Sequence, residues 1–138
     1  MIKNIEVAVL IPCYNEERTI ANVVTEYKNI LPNSTVYVYD NNSDDETRIV
    51  AKNAGAVVRS EEYQGKGNVI RRMFSDIEAD VYLIVDGDMT YDSSVARLMV
   101  DKLVSNNLDM VICARSKVSA SAYRSGHKMG NYFFSSAV

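Results

Sequence analysis

Short runs of β-branched and aliphatic residues alternate along the chain with stretches in which apolar residues recur every three or four positions. The runs predict buried strands and the recurrences predict amphipathic helices. Strands are predicted at residues 5–11, 35–39, 56–58, 81–85 and 110–113. Helices are predicted between them, at residues 20–31, 45–54 and 69–77 and from Ser93 or Ser94 to Leu103. This alternation predicts an α/β fold with a mainly parallel sheet and helices on both faces.

The composition fits one ordinary globular domain. The chain has 138 residues, of which 47% are hydrophobic and 24% are charged, and a chain of that length buries a core without metals or disulfides. We therefore expect Cys13 and Cys113 to be reduced, partly buried thiols. Since no stretch reaches the roughly 18 apolar residues of a membrane span, we expect a cytoplasmic protein.

Charge is divided unevenly along the chain. All 18 acidic residues precede residue 114. Residues 114–138 contain no acid but four cations, which are Arg115, Lys117, Arg124 and Lys128. Such an end predicts contact with an anion, although a solvated loop that lacks acids fits the charge equally well. No nucleic-acid partner is predicted.

Polar residues cluster where four of the predicted strands end. Residues 12–16 follow the first strand, residues 40–43 the second, residues 86–88 the fourth, and Arg115 the fifth. Each cluster alone is ordinary turn chemistry. In an open parallel sheet, however, ligands bind beyond the carboxyl ends of the strands. Four clusters at one edge therefore predict a binding site.

Asp86 and Asp88 are the sharpest feature of this predicted site. Two carboxylates two residues apart at a strand end can face the same side, and they repel each other unless a cation lies between them. Hard oxygen ligands suit magnesium or manganese, and magnesium is commonly held by one or two carboxylates together with substrate phosphates. Between them, Gly87 would let the backbone approach a bulky phosphate.

A glycine-rich segment, residues 64–68, precedes the third predicted helix. Backbone N–H groups at a helix start attract anions, and Lys66 adds a positive charge. The segment is not a Walker loop, because the pattern Gly-x-x-x-x-Gly-Lys-Ser/Thr is absent. It predicts either a phosphate contact or a plain turn.

The chain resembles family-2 glycosyltransferases of the GT-A fold. The resemblance rests on four segments taken together and in this order, which are residues 11–17, 40–47, 65–71 and 86–88. Residues 40–43 and 124–131 are most similar to the polyprenyl-phosphate and dolichyl-phosphate sugar transferases. The resemblance spans nearly the whole chain and implies a Rossmann-like GT-A sheet. Members of that family continue further, so we expect residues 1–138 to be the nucleotide-sugar-binding part of a truncated domain.

The resemblance implies a donor site on the first two strand ends. Pro12, Tyr14 and Glu16 would lie along the base and ribose of a UDP or GDP sugar. Asp40 would hydrogen-bond the base, and Asn42 would support that loop.

The resemblance also implies how the diphosphate is held. Gly65 and Lys66 would neighbour the ribose and diphosphate. Asp86, Gly87 and Asp88 would contact the diphosphate, and the two aspartates would bind Mg or Mn, which makes them the candidate catalytic residues.

The implied activity is an inverting transfer of a sugar to an acceptor, which in the most similar branch is a polyprenyl (lipid) phosphate. Arg115 and Arg124 would contact a phosphate, and the full-length protein would work at the inner face of the membrane. A non-catalytic nucleotide-sugar-binding module is the alternative for this length of chain.

Other enzyme classes fit the motifs less well. Haloacid-dehalogenase-like phosphatases need Asp-x-Asp-Gly-Thr, and Met89 stands in place of that glycine. A dinucleotide-dependent dehydrogenase would need Gly-x-Gly-x-x-Gly after the first strand, where residues 12–16 lack glycine.

Overall fold

The computed structural model of the protein describes residues 4–114. Its four strands form one parallel sheet in the order β3-β2-β1-β4. They are β1 (Val7–Cys13), β2 (Thr35–Asp40), β3 (Val57–Ser60) and β4 (Val81–Ile84). The helices are α1 (Ile20–Ile30), α2 (Thr47–Asn53), α3 (Lys66–Asp76) and α4 (Ala96–Ser105), and a short 3-10 turn (Ser93–Val95) leads into α4. The predicted parallel α/β fold is confirmed.

Each face of the sheet has its own core, because successive side chains of a strand point to opposite sides. On β1, Val9 and Ile11 face one side and Ala8 and Leu10 face the other. The first side packs against the buried residues of α1, α2 and α4, which include Ile20, Val24, Ala51 and Ala96. The second side packs against α3 through Val69 and Met73. Helices therefore cover both faces, as the sequence predicted.

Pro12 lies inside the central strand, a position that proline usually avoids because it cannot donate to the ladder. The pairing of β1 with β4 ends at Leu10↔Ile84. Leu10 O accepts from Val85 on the β4 side, and Cys13 O accepts from Asn41 on the β2 side. By alternation, Pro12 faces the β4 side beyond the end of that ladder, so its missing N–H leaves no partner unsatisfied.

The predicted fifth strand at residues 110–113 is wrong. The described chain has no strand there, and the side chains of Met110 and Ile112 are 72% and 62% exposed. A strand is stabilised by a neighbouring ladder and by packing of at least one face, and these exposed side chains supply little packing.

The two cysteines and the helix lengths bear on what the composition predicted. Cys13 and Cys113 are both free thiols, but only Cys13 is buried, so the expectation of partial burial is wrong for Cys113. Among residues 4–114, no helix is long and apolar enough to cross a membrane.

Candidate functional site

A cleft of about 250 Å³ opens at the carboxyl edge of the sheet, beyond β1, β2 and β4. It contains most of the residues that the sequence assigned to the donor site. Its lining comprises Pro12, Cys13, Tyr14, Glu16, Asn41, Lys66, Val69, Asp86 and Asp88. A second cavity, of about 400 Å³, lies beside β4. Its lining is mainly apolar and contains neither the acid pair nor Lys66, so we assign the site to the smaller cleft.

The loops after β1 and β2 are joined into one rigid wall of the cleft, which we call the β1–β2 wall (residues 14–17 and 43–47). Backbone N–H groups of one loop donate to side chains of the other. The five bonds run from Asn15 N to Ser43 Oγ (2.9 Å), Glu16 N to Thr47 Oγ1 (2.8 Å), Glu17 N to Asp45 Oδ2 (3.2 Å), Asp44 N to Asn15 Oδ1 (2.8 Å) and Glu46 N to Glu17 Oε2 (3.0 Å). The wall is thus fixed before any ligand arrives.

Asp40 ends β2 and is 1% exposed. Its Oδ2 accepts from Ser43 N at 3.2 Å, whereas its buried Oδ1 has no hydrogen-bond partner among the described residues. A buried acceptor without a partner costs about 1–3 kcal/mol. A donor that reached this atom would therefore be stabilising, but Asp40 is not among the residues that line the cleft.

Asn41 is a site residue that the sequence reasoning missed. It is 5% exposed, and its side-chain amide donates to the carbonyls of Glu61 and Tyr63, both at 2.8 Å. Its Oδ1 accepts from Gly65 N at 2.9 Å. The sequence could have indicated this residue only by its position, because a polar residue directly follows a buried strand. Ordinary turn chemistry explained that position equally well.

Asn42 and Gly65 use backbone conformations that suit their residue types. Asn42 has φ 63°, which asparagine tolerates, and its Nδ2 donates to Glu62 O at 2.5 Å. Gly65 has φ 124°, which favours glycine. Its N–H donates to Asn41, so the expected anion contact by that N–H group is not available.

The turn after β4, residues 86–90, is here called the acidic turn. Asp88 Oδ1 accepts from Thr90 N at 3.0 Å and from Thr90 Oγ1 at 2.6 Å. Thr19 Oγ1 donates to the Gly87 carbonyl at 2.6 Å, which ties the turn to the start of α1. The ammonium of Lys66 pairs with Asp86 across the cleft.

Gly87 has a packing reason to be glycine, in addition to the phosphate contact that stays a prediction. It is buried, and a Cβ added there would lie 2.0 Å from Glu16 Oε2 and 2.8 Å from Cys13 Sγ. The space beside Gly87 is therefore occupied by these two side chains. The absent side chain allows the β1 loop to pack against the acidic turn.

Glu16 is half-buried between that loop and the acidic turn. Burial raises its pKa to about 7, and the charges on Asp88 and Asp86 add to this effect while Cys13 and Lys66 oppose it. Burial likewise raises the pKa of the Cys13 thiol, and the charge of Glu16 raises it further. The acidic turn therefore lies in a negative environment in which a cation is stabilised.

The residues present fit a divalent cation whose coordination is completed by a ligand. Asp86 and Asp88 are hard oxygen donors on one turn, and Asp86 already attracts the cation of Lys66. Within residues 4–114, no three His, Cys, Asp or Glu side chains are grouped so that they could hold a metal ion. Two protein carboxylates with phosphate oxygens is a common arrangement for Mg²⁺.

Arg115 and Arg124 lie outside the described residues, so their assignment to a phosphate stays a prediction. Tyr14 is 51% exposed at the mouth of the cleft, where its ring is accessible to a ligand. Pro12 is buried in the floor of the cleft.

The parallel sheet order, with an acidic turn directly after β4, defines a GT-A fold. Residues 8–136 match Glycosyl transferase family 2. The chain therefore belongs to that family, as the resemblance implied.

Three comparisons show how far the similarity extends. The chain is 50% identical over 129 residues to Protein RfbJ of Shigella flexneri, covering 93% of this chain and 100% of that protein. It is 26% identical over 136 residues to Dolichol-phosphate mannosyltransferase of Pyrococcus furiosus, covering 94% and 36%. Glucosyl-3-phosphoglycerate synthase from Mycobacterium tuberculosis, solved with Mn²⁺, UDP-glucose and phosphoglyceric acid, matches with a TM-score of 0.62 at 26% identity, covering 77% and 40%. The chain thus spans all of the first protein and well under half of the other two.

Proposed function

We propose that this chain is the nucleotide-sugar-binding part of an inverting glycosyltransferase that transfers a sugar from a UDP or GDP sugar to a phosphate-bearing acceptor. One observation carries the proposal. A buried, unsatisfied carboxylate oxygen on Asp40, the ammonium of Lys66 and the acid pair Asp86 and Asp88 are gathered at one edge of the sheet. These groups match the base, the diphosphate and the divalent cation of such a donor.

Asp40 is the proposed contact for the base. The free Oδ1 can accept from a ring N–H, which uracil and guanine both offer. The β1–β2 wall holds this region in place, so that little ordering entropy remains to be lost when the nucleoside binds.

Lys66 and the acidic turn are the proposed contacts for the diphosphate. Asp86 and Asp88 would hold Mg²⁺ or Mn²⁺ together with phosphate oxygens of the donor. When bound, the cation supplies Lewis-acid stabilisation of the charge on the departing nucleoside diphosphate. The Mn²⁺ and UDP-glucose in the mycobacterial synthase support this arrangement.

The acceptor is proposed to be a lipid phosphate, which attacks the anomeric carbon from the face opposite the leaving group and so inverts it. The second pKa of a phosphate monoester is about 6. Such an acceptor is mostly dianionic at neutral pH and needs positioning rather than a general base. Arg115 and Arg124 would provide this positioning, and the protein would act at the cytoplasmic face of a membrane. The name of the Pyrococcus relative supports a lipid-phosphate acceptor.

Calorimetric titration of the chain with UDP, GDP and their sugars, with Mn²⁺ and with chelator, tests the donor proposal. We expect binding that requires the metal. Replacing both Asp86 and Asp88 by Ala abolishes the metal dependence, whereas Asp101→Ala, an exposed acid on α4, leaves it intact. Equal affinity in excess chelator would overturn the proposed metal role.

A non-catalytic nucleotide-sugar-binding module is a second candidate, and one observation favours it. The match to the Shigella protein covers that protein's full length, so a protein of about this size exists in the family. Hydrolysis and transfer assays on this chain and on a longer relative, with bound donor measured in parallel, separate the two. Binding without turnover in this chain alone supports the module.

A further inference from the structure

Asn41 connects two parts of the site that are far apart in sequence. Its own N–H continues the sheet by donating to Cys13 O at 2.9 Å, but its side chain leaves the sheet. There it donates to the carbonyls of Glu61 and Tyr63 and accepts from Gly65 N, over distances of 2.8–2.9 Å. Both amide hydrogens are used, as expected for a buried amide.

A further hydrogen bond joins the same two parts of the chain, with the donor in the segment after β3 and the acceptor on Asn41. Gln64 Nε2 donates to the main-chain carbonyl of Asn41 at 2.8 Å. Three of the five residues in the segment 61–65 therefore bond to the Asn41 side chain, and a fourth bonds to its backbone. That segment leads from β3 directly into α3, whose first residue is Lys66.

We propose that Asn41 is a positioning residue that fixes the segment 61–65 and thereby places the ammonium of Lys66 opposite the acidic turn. Asn41 touches neither the base nor the diphosphate in this scheme. It determines the position at which the Lys66 ammonium contacts the diphosphate. This inference rests on the proposed function, because the diphosphate is part of the proposed donor.

The position of Asn41 in the chain explains why this residue would have the role. Asp40, the proposed base contact, is its immediate neighbour, and both extend from the same strand end. One strand end thus holds the base contact directly and the phosphate contact through the segment 61–65. The chain's own hydrogen bonds therefore hold the two contacts relative to each other before a ligand binds.

The test measures two partial ligands, Mn²⁺-pyrophosphate by calorimetry and the free nucleoside by ligand-observed NMR. Asn41→Asp retains the acceptor for Gly65 but removes both donors. We expect about a tenfold loss of pyrophosphate affinity, equal to about 1.4 kcal/mol, with nucleoside affinity within about twofold of the wild type. Asn106→Asp, the same change at an exposed amide after α4, leaves both affinities unchanged.

A double-mutant cycle separates positioning from a general structural role. In the Lys66→Ala background, Asn41→Asp has no further effect on pyrophosphate affinity if Asn41 acts through Lys66. A full additional loss in that background, or equal losses for both ligands, would overturn the proposal. If Asn41→Asp does not fold, Gln64→Ala replaces it, because this exposed side chain donates to the main-chain carbonyl of Asn41. We expect Gln64→Ala to cause a smaller loss of pyrophosphate affinity, and no further loss in the Lys66→Ala background.

Hydrogen exchange of the ligand-free protein keeps this inference separate from the proposed function. We expect Asn41→Asp to speed amide exchange in residues 61–66 and to leave the β1–β2 wall protected. If no nucleotide or pyrophosphate binds even the wild type, the proposed function fails while the exchange result still decides whether Asn41 fixes the segment. Unchanged exchange there would contradict the inference by itself.

Discussion

The β1–β2 wall and the acidic turn are two sides of one cleft that touch at Gly87, but they are stabilised differently. Five backbone-to-side-chain hydrogen bonds join the two loops of the wall. The acidic turn is instead held by three contacts. Asp88 accepts from Thr90 N within the turn, Thr19 Oγ1 donates to the Gly87 carbonyl, and Asp86 pairs with Lys66. The wall is held by many hydrogen bonds between two loops, whereas the turn has fewer and concentrates negative charge that a ligand's cation would neutralise.

The largest effect is expected from Thr47→Val in the wall. Thr47 is 0% exposed, and its Oγ1 accepts from Glu16 N at 2.8 Å. Valine has nearly the same shape but leaves the part-buried N–H of Glu16 without a partner and removes the hydroxyl that donates to Asp45 Oδ1. Together these losses are expected to cost about 3 kcal/mol. Urea denaturation measures the change in the free energy of unfolding.

The same substitution in the acidic turn gives the matched comparison. Thr90 is exposed, so Thr90→Val is expected to change stability by less than about 0.5 kcal/mol. Equal losses of unfolding free energy for the two variants would show that the hydrogen bond in the wall is no more stabilising than the one in the acidic turn.

A methyl group at the contact between the two sides is expected to have the next largest effect. Gly87→Ala would place a Cβ against Glu16 and Cys13, and overpacking of this kind costs about 2 kcal/mol. Gly67→Ala is the control, because a Cβ there meets nothing within 4 Å and a helical alanine is slightly stabilising. Thermal unfolding of both variants decides whether the contact is as tight as described.

Lys66→Met is expected to have opposite effects on two ligands. Removal of the ammonium frees Asp86 and tightens binding of Mn²⁺ alone, but it weakens binding of Mn²⁺-pyrophosphate about tenfold, or 1.4 kcal/mol. Manganese EPR and calorimetry measure the two constants, with Lys102→Met on α4 as the control. A loss of affinity for the metal alone would contradict competition between Lys66 and the cation.

The smallest effect is a change of stability with pH, measured in chelator. The pKa of Glu16 rises from 4.5 to about 7 on folding, so the folded state binds more protons than the unfolded state between these values. Stability contributed by Glu16 is therefore present at low pH and is lost as pH rises through this window. Glu16→Gln removes this contribution, so a difference between wild type and variant that does not vary with pH would contradict the assignment.

The sequence predicted the strands of the sheet and the two helical faces because both depend on local patterns of apolar residues. It predicted the fifth strand wrongly, since the exposure of Met110 and Ile112 depends on what surrounds residues 110–113 in the fold. The position of Asp86 and Asp88 at a strand end was also predictable, because the two residues follow a run of five apolar residues, 81–85.

The role of Asn41 and the packing of Gly87 were not predictable in this way. Asn41 bonds to residues 20 to 24 positions away, and Gly87 packs against residues on another strand end. A local pattern contains no information about such partners. The predicted phosphate contact of Gly87 stays a prediction, and the structure adds that Glu16 and Cys13 fill the space where a side chain would lie.

The central place of β1 in the sheet has a consequence for how the protein folds during its synthesis. The strand emerges first but needs β4 to cover its second edge, and the bond from Glu6 N to Asp80 spans 74 residues. A nascent chain that ends before β4 can pair β1 with β2 and β3 but leaves one edge of β1 open, and open edges recruit other strands. The two sides of the cleft thus arise at different times on the ribosome. The interval before residues 81–84 emerge is therefore the one in which an edge of β1 is open.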